Sequence, residues 1–154
     1  MHMSNLKIIS VVGARPNIMK IAPFIKAIEG YNNSLATDAQ IKHILVHTGQ
    51  HYDVRMSEAF FEELHIPSPD INLEVGSGSH AEQLGNTMIA FEKALISEKP
   101  DWVVVVGDVN ATLSCSVIAK RHNIKVCHIE AGLRSGDMGM PEEVNRLVTD
   151  RLSD

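Results

Sequence analysis

Asp108, Glu130, Glu142 and Glu143 fall close together in two Gly-punctuated segments, GDVNATL (107–113) and HIEAGLRSGDMGMPEEVNR (128–146). Carboxyls sharing a partly dry crevice push their pKa values apart, so one can act as acid while another acts as base. Asp108, Glu130 and Glu142 are therefore candidate catalytic acids, and their clustering points to proton transfer in sugar chemistry. Arg134, four residues after Glu130, could tune that balance or bind substrate. Plainer roles exist for each acid taken alone. Asp108 could simply cap the helix that follows, and Glu142 and Glu143 could complement a helix dipole after Pro141. Three acids gathered on neighbouring turns are harder to explain as caps.

Two further segments carry candidate ligands for an anion. GARPNIMK (13–20) offers Gly13 for close backbone approach, Arg15 for a bidentate grip on phosphate, and Lys20 a turn into the following helix. Surface-charge roles for Arg15 and Lys20 remain open. The segment matches neither the dinucleotide fingerprint nor a Walker loop, so neither a nicotinamide cofactor nor ATP is expected. In HTGQHYD (47–53), Gln50 could read an amide or hydroxyl and His51 could donate to phosphate, or both could belong to a structural loop. GSGSHAEQ (76–83) reads first as a helix cap at Ser79.

The elements that must position these groups follow from hydrophobic patterning. DWVVVVGD (101–108) and IKVCHIEAG (124–132) are short β-branched runs ending at Asp108 and Glu130, with a helix across ATLSCSVIAKRH (111–122) between them. LKIISVVG (6–13) predicts a first strand, followed by a helix over IMKIAPFIKAIE (18–29). IKHILVH (41–47), a helix in VRMSEAFFEEL (54–64), a short strand in PDINLEV (69–75) and a helix from His80 to about Ser97 come next. PEEVNRLVTDRLSD (141–154) opens one more helix. Strands alternating with helices imply an α/β, doubly wound parallel sheet, Rossmann-like in type. In such sheets ligands lie beyond the carboxyl ends of the strands, where Asp108 and Glu130 fall.

Composition narrows the class. The chain has 154 residues, 44% hydrophobic and 21% charged, which suits one domain with an ordinary core. A net charge of -5 argues against general nucleic-acid binding. No apolar run approaches the roughly 18 residues of a membrane span, and the start lacks signal-peptide features, so a cytoplasmic protein is expected. Cys115 and Cys127 are too widely spaced for a disulfide framework. His43 and His47 share a strand face with Leu45 but lack a third ligand nearby, so no metal is expected. Residues 1–3, MHM, read as a cloning remnant, leaving 4–154 as the domain.

Taken in order, GARPNIMKIAPF, HTGQHYDVRMSEAFFEEL, PDINLEVGSGSHAEQ, VVVVGDVNATL, HIEAGLRSG and PEEVNRLVTDRL resemble the non-hydrolysing UDP-N-acetylglucosamine 2-epimerases over almost the whole chain. The resemblance implies the N-terminal half of a two-domain, B-type glycosyltransferase-like architecture, with the C-terminal sugar-nucleotide-binding domain absent from this chain. It implies interconversion of UDP-GlcNAc and UDP-ManNAc by elimination and re-addition of UDP, without a cofactor, in cell-surface polysaccharide biosynthesis. By motif, Asp108, Glu130 and Glu142 match the family's catalytic acids, and Arg15 and Lys20 its substrate-binding bases. Gln50 and His51 match a motif that contributes to a second, activating UDP-GlcNAc site. The chain departs from the family's usual GTRPE at Ala14 and Asn17, and from GDTTT at Val109, Asn110 and Ala111. The complete protein is expected to be a homodimer handling UDP-GlcNAc and UDP, without nucleic-acid or membrane partners, and the fragment alone is expected to be inactive. Alternatives are half of a hydrolysing epimerase or glycosyltransferase, or a non-catalytic sugar-nucleotide-binding module.

Overall fold

A computed structural model describes residues 5–49 and 54–154, with side chains described for all of these except 54–57. The order is β1 (Lys7–Val12), α1 (Arg15–Asn32), β2 (Lys42–His47), α2 (Val54–Glu63), β3 (Ile71–Asn72), α3 (His80–Glu98), β4 (Trp102–Val106), α4 (Asn110–Arg121), β5 (Lys125–Ile129) and α5 (Pro141–Leu152). The strands form one parallel sheet in the order β3-β2-β1-β4-β5. The chain starts at the middle strand, winds outward to β3, then crosses back to build β4 and β5.

Strand alternation explains the two-sided core. Ile8 and Val12 of β1, Leu45 of β2, and Val104 and Val106 of β4 pack with Ile18, Ile21 and Ile25 of α1 and Phe60 and Phe61 of α2. The intervening residues Ile9, Val11, Ile44, Val46, Val103 and Val105 pack with Phe91 and Leu95 of α3 and Cys115 and Ala119 of α4. The four consecutive valines of β4, Val103–Val106, are all buried, as expected of a parallel strand covered on both faces. Each such side chain removed from water contributes about 1.5–3 kcal/mol. No residue of α5 belongs to either apolar cluster, and this helix is held by polar contacts.

Local signals set the helix limits. Ser79 caps α3: its hydroxyl accepts from Glu82 N–H at 3.2 Å, and its own N–H donates to the Glu82 carboxylate at 2.8 Å. The cap role expected of Ser79 therefore holds. Pro23 lies inside α1 but on its exposed side. Among the described residues no helix is long and apolar enough to cross a membrane.

Candidate functional site

The strand ends place the acids as the sequence implies. Val106 and Ile129 are partners across β4 and β5, and the Gly107 N–H donates to the Ile129 carbonyl at 3.1 Å. Asp108 and Glu130 thus leave adjacent strands at the same edge. Gly107 takes a left-handed backbone, φ 72°, and a Cβ there would lie 3.2 Å from Asn17 Nδ2. Glu130 is also left-handed, at φ 69°, which is uncommon for a residue with a side chain.

Each of these two carboxylates faces a cation. Lys20 Nζ lies 2.7 Å from Glu130 Oε1 and 2.6 Å from Oε2, uniting a predicted substrate-binding base with a predicted catalytic acid. Arg146 donates to Asp108 Oδ2 from Nη2 at 2.6 Å and from Nε at 3.0 Å. Asp108's carbonyl accepts from the Asn145 amide at 2.8 Å. Glu142 stands exposed in the first turn of α5, with no partner among the described residues.

Glu143, beside it, is turned inward and almost fully buried, at 2% exposure. Its Oε2 accepts from Ser135 N–H, Ser135 Oγ and Arg146 Nη1 at 3.0, 3.1 and 3.0 Å, and its Oε1 from Gly136 N–H at 3.1 Å. The Ser135 N–H, helped by Arg146, Gly136 and the Ser135 hydroxyl, outweighs burial and holds the carboxyl at a pKa of about 2. The same two acids raise the pKa of Arg146 further, Glu143 having the larger effect.

His128 fixes the turns from behind. Its side chain is 1% exposed and lies 2.6 Å from Asp150 Oδ1 through Nδ1 and 2.7 Å from the Gly107 carbonyl through Nε2. Asp150 Oδ2 accepts from Gly132 N–H at 3.0 Å and from Arg134 Nη1 at 2.6 Å. Burial raises the Asp150 pKa, but Arg134, Gly132 and His128 together leave it lowered. Arg134 is therefore committed to α5 and to the Leu133 carbonyl, 2.7 Å away.

The β1–α1 turn is tied to β4 through Asn17. Its Oδ1 accepts from Gly13 and Ala14 N–H, both at 3.2 Å, while its Nδ2 donates to the Val106 carbonyl at 3.3 Å. A carboxylate could fill the acceptor half of this role but not the donor half. Arg15 is exposed, with its guanidinium carbon 4.4 Å from the centre of the Phe60 ring. Gln50 and His51 lie outside the described residues. His43 Nε2 lies 2.8 Å from Ser10 Oγ, and His47 Nδ1 accepts from Gly49 N–H at 2.8 Å. Burial lowers the His47 pKa to about 4. Among the described residues no group of three or more His, Cys, Asp or Glu is arranged to hold a metal.

Asn145, Arg146, His128 and Asp150 lie beside the candidate acids and were not singled out in the sequence, and Glu143, named there with the other acids, was weighed only as a complement to the helix dipole. Glu143 and Arg146 lie three apart on a predicted helix, a spacing that could have signalled a pair. For His128 and Asp150 the sequence carries no comparable signal.

Doubly wound α/β domains bind ligands in the crevice beyond the carboxyl ends of their strands, the edge at which this chain pairs two acids with two cations. The chain belongs to the UDP-N-acetylglucosamine 2-epimerase family, whose sequence profile matches residues 33–154. It is 47% identical over 148 residues to the UDP-N-acetylglucosamine 2-epimerase of Methanocaldococcus jannaschii, covering 96% of this chain and 38% of that protein. It is 43% identical over 149 residues to the UDP-2,3-diacetamido-2,3-dideoxy-D-glucuronate 2-epimerase of Pseudomonas aeruginosa, covering 97% of this chain and 40% of that protein. The crystal structure of the M. jannaschii enzyme in complex with UDP-GlcNAc and UDP superposes with a TM-score of 0.87 at 46% identity, over 96% of this chain and 39% of that one. The Neisseria meningitidis enzyme bound to UDP-GlcNAc gives 0.84 at 32% identity, over 96% and 39%. The chain thus spans well under half the length of the relatives it matches.

Proposed function

We propose that the complete protein containing this chain interconverts UDP-GlcNAc and UDP-ManNAc, with residues 4–154 as the N-terminal Rossmann-like domain and a second sugar-nucleotide-binding domain in the remainder. The observation that carries this reading is the pairing of Asp108 with Arg146 and of Glu130 with Lys20 at adjacent strand ends. Inversion at C2 needs a base on one face of the sugar and an acid on the other. A carboxylate removes the C2 proton, the C–H electrons form the C1–C2 double bond, and the C1–O bond breaks with its pair leaving on UDP. UDP then adds back at C1 while a proton reaches C2 from the opposite face.

Asp108, Glu130 and Glu142 are the acids assigned to these transfers. Arg15 and Lys20 suit the diphosphate, whose negative charge grows as UDP departs. Substrate entry would release Lys20 from Glu130, so one ion pair can couple diphosphate binding to a freed carboxylate. Arg134 is assigned a supporting role in substrate binding, and Gln50 and His51 a second UDP-GlcNAc site. The reading requires no cofactor or metal and places the enzyme in the cytoplasm, as a homodimer without nucleic-acid partners. A second substrate reading draws on the Pseudomonas relative: the same C2 chemistry on UDP-2,3-diacetamido-2,3-dideoxy-D-glucuronate.

The test is incubation of the complete protein with each sugar nucleotide in heavy water, following the C2 proton by NMR. Deuterium at C2 with the 2-epimer accumulating from UDP-GlcNAc supports the first reading. Exchange confined to the diacetamido sugar transfers the assignment to the second. Binding without exchange in either sugar removes the epimerase reading and leaves a sugar-nucleotide-binding module.

A further inference from the structure

We infer that Glu143 and Arg146 are positioning residues that hold one oxygen of Asp108 so that the other is presented to substrate. The inference rests on the reading of Asp108 as a reacting acid. Both Asp108 contacts from Arg146 converge on Oδ2, and Oδ1 has no partner among the described residues. The remaining guanidinium nitrogen, Nη1, is fastened to Glu143. One planar fork therefore spans two carboxylates, and its orientation toward Asp108 is set by the buried one.

Glu143 is suited to anchoring rather than to proton transfer. Both its oxygens are occupied, by two backbone N–H groups, a hydroxyl and Arg146, and its side chain is 3% exposed. The two backbone donors belong to the loop between Glu130 and α5, so one carboxylate fixes both that loop and the guanidinium. Asn145 completes the clamp from the same helix by holding the Asp108 carbonyl. The adjacent glutamates of PEEVNR thus divide their work: Glu142 is exposed and has no partner among the described residues, and Glu143 is an internal tie.

A lysine at 146 would keep the charge but could not bridge the two acids in a plane. In the complete protein, Arg146→Met is expected to lower kcat about 100-fold, the scale of a small misplacement at a reacting group, and to leave KM within about threefold. Arg146→Lys should fail to rescue it. Because Arg146 acts through Asp108, adding Arg146→Met to Asp108→Asn should cost less than about threefold more. Independent, multiplying losses, or a raised KM with kcat kept, would overturn the assignment.

Absence of C2 exchange in the unmodified protein would count against the proposed function, not against the pair. Crystal structures of full-length Arg146→Met and Glu143→Gln then decide. An Asp108 side chain turned from its original rotamer supports the positioning role, and an unmoved Asp108 in both variants refutes it. Glu143→Gln is nearly isosteric, and with Arg146→Lys it carries the same reading should Arg146→Met fail to fold.

Discussion

At the scale of single residues, the burial of one charged group matters more than the number of acids. Glu143 is held from its ordinary pKa of 4.5 down to about 2 by the Ser135 N–H first, with Arg146, Gly136 and the Ser135 hydroxyl adding to it. A group whose folded pKa is depressed contributes stability that is complete above the unfolded value and is lost as pH falls through the folded one. Acid unfolding between about pH 4.5 and 2 should therefore be shallower in Glu143→Gln than in the original protein, while the rest of the profile keeps its shape. Denaturant titrations across that pH range test this, and parallel profiles would contradict it. Asp108, Glu130, Lys20 and Arg15 were legible as candidates because strand ends and Gly turns locate them. Arg146 was not, because a helical arginine three residues from a glutamate more often marks a solvated face. Only tertiary packing shows that this face is turned inward.

At the scale of elements, apolar patterning and glycine punctuation were enough to predict the five strands and five α-helices described, though not the short 3-10 turn at Thr37–Ala39. The polar ties between elements were not legible, because they depend on which turns meet in space. Asn17 is the clearest case. The sequence offers it only as a departure from a glutamate, whereas its amide joins the β1–α1 turn to the end of β4 by accepting and donating at once. Asn17→Asp keeps the acceptor but sets a carboxylate against the Val106 carbonyl. The Val106 carbonyl keeps its bond from the Thr112 hydroxyl at 2.9 Å, so the cost is the lost amide bond and the repulsion between two buried oxygens, about 1–3 kcal/mol. Favourable interaction with the α1 dipole should return less than about 1 kcal/mol of that. Urea unfolding of the two proteins measures the difference, and equal stabilities would mean that the amide donor contributes nothing. A weakened tie would also let the Gly107 turn shift, carrying Asp108 with it.

At the scale of the whole molecule, the apolar core and the site are built from different materials. The sheet, α1, α2, α3 and α4 bury the valines and isoleucines, while α5 is fastened through Glu143, Asn145, Arg146 and Asp150. Glu130 sharpens the contrast, because its left-handed backbone is one that glycine would occupy without strain. Glu130→Gly would relieve about 1–2 kcal/mol of backbone strain. It would forfeit about 0.5–1 kcal/mol to the greater freedom of the unfolded chain and at most about 1 kcal/mol from the exposed pair with Lys20. These terms nearly cancel, so the melting temperature should stay within a few degrees while C2 exchange disappears. Calorimetry beside the exchange assay tests both halves, and a large fall in melting temperature would contradict the balance. Fold stability alone therefore gives a lineage almost no reason to retain glutamate at position 130. On the proposed role of Glu130 in proton transfer, a descendant relieved of that chemistry could lose the side chain silently, and its absence would record the loss of activity before any decay of the fold became visible.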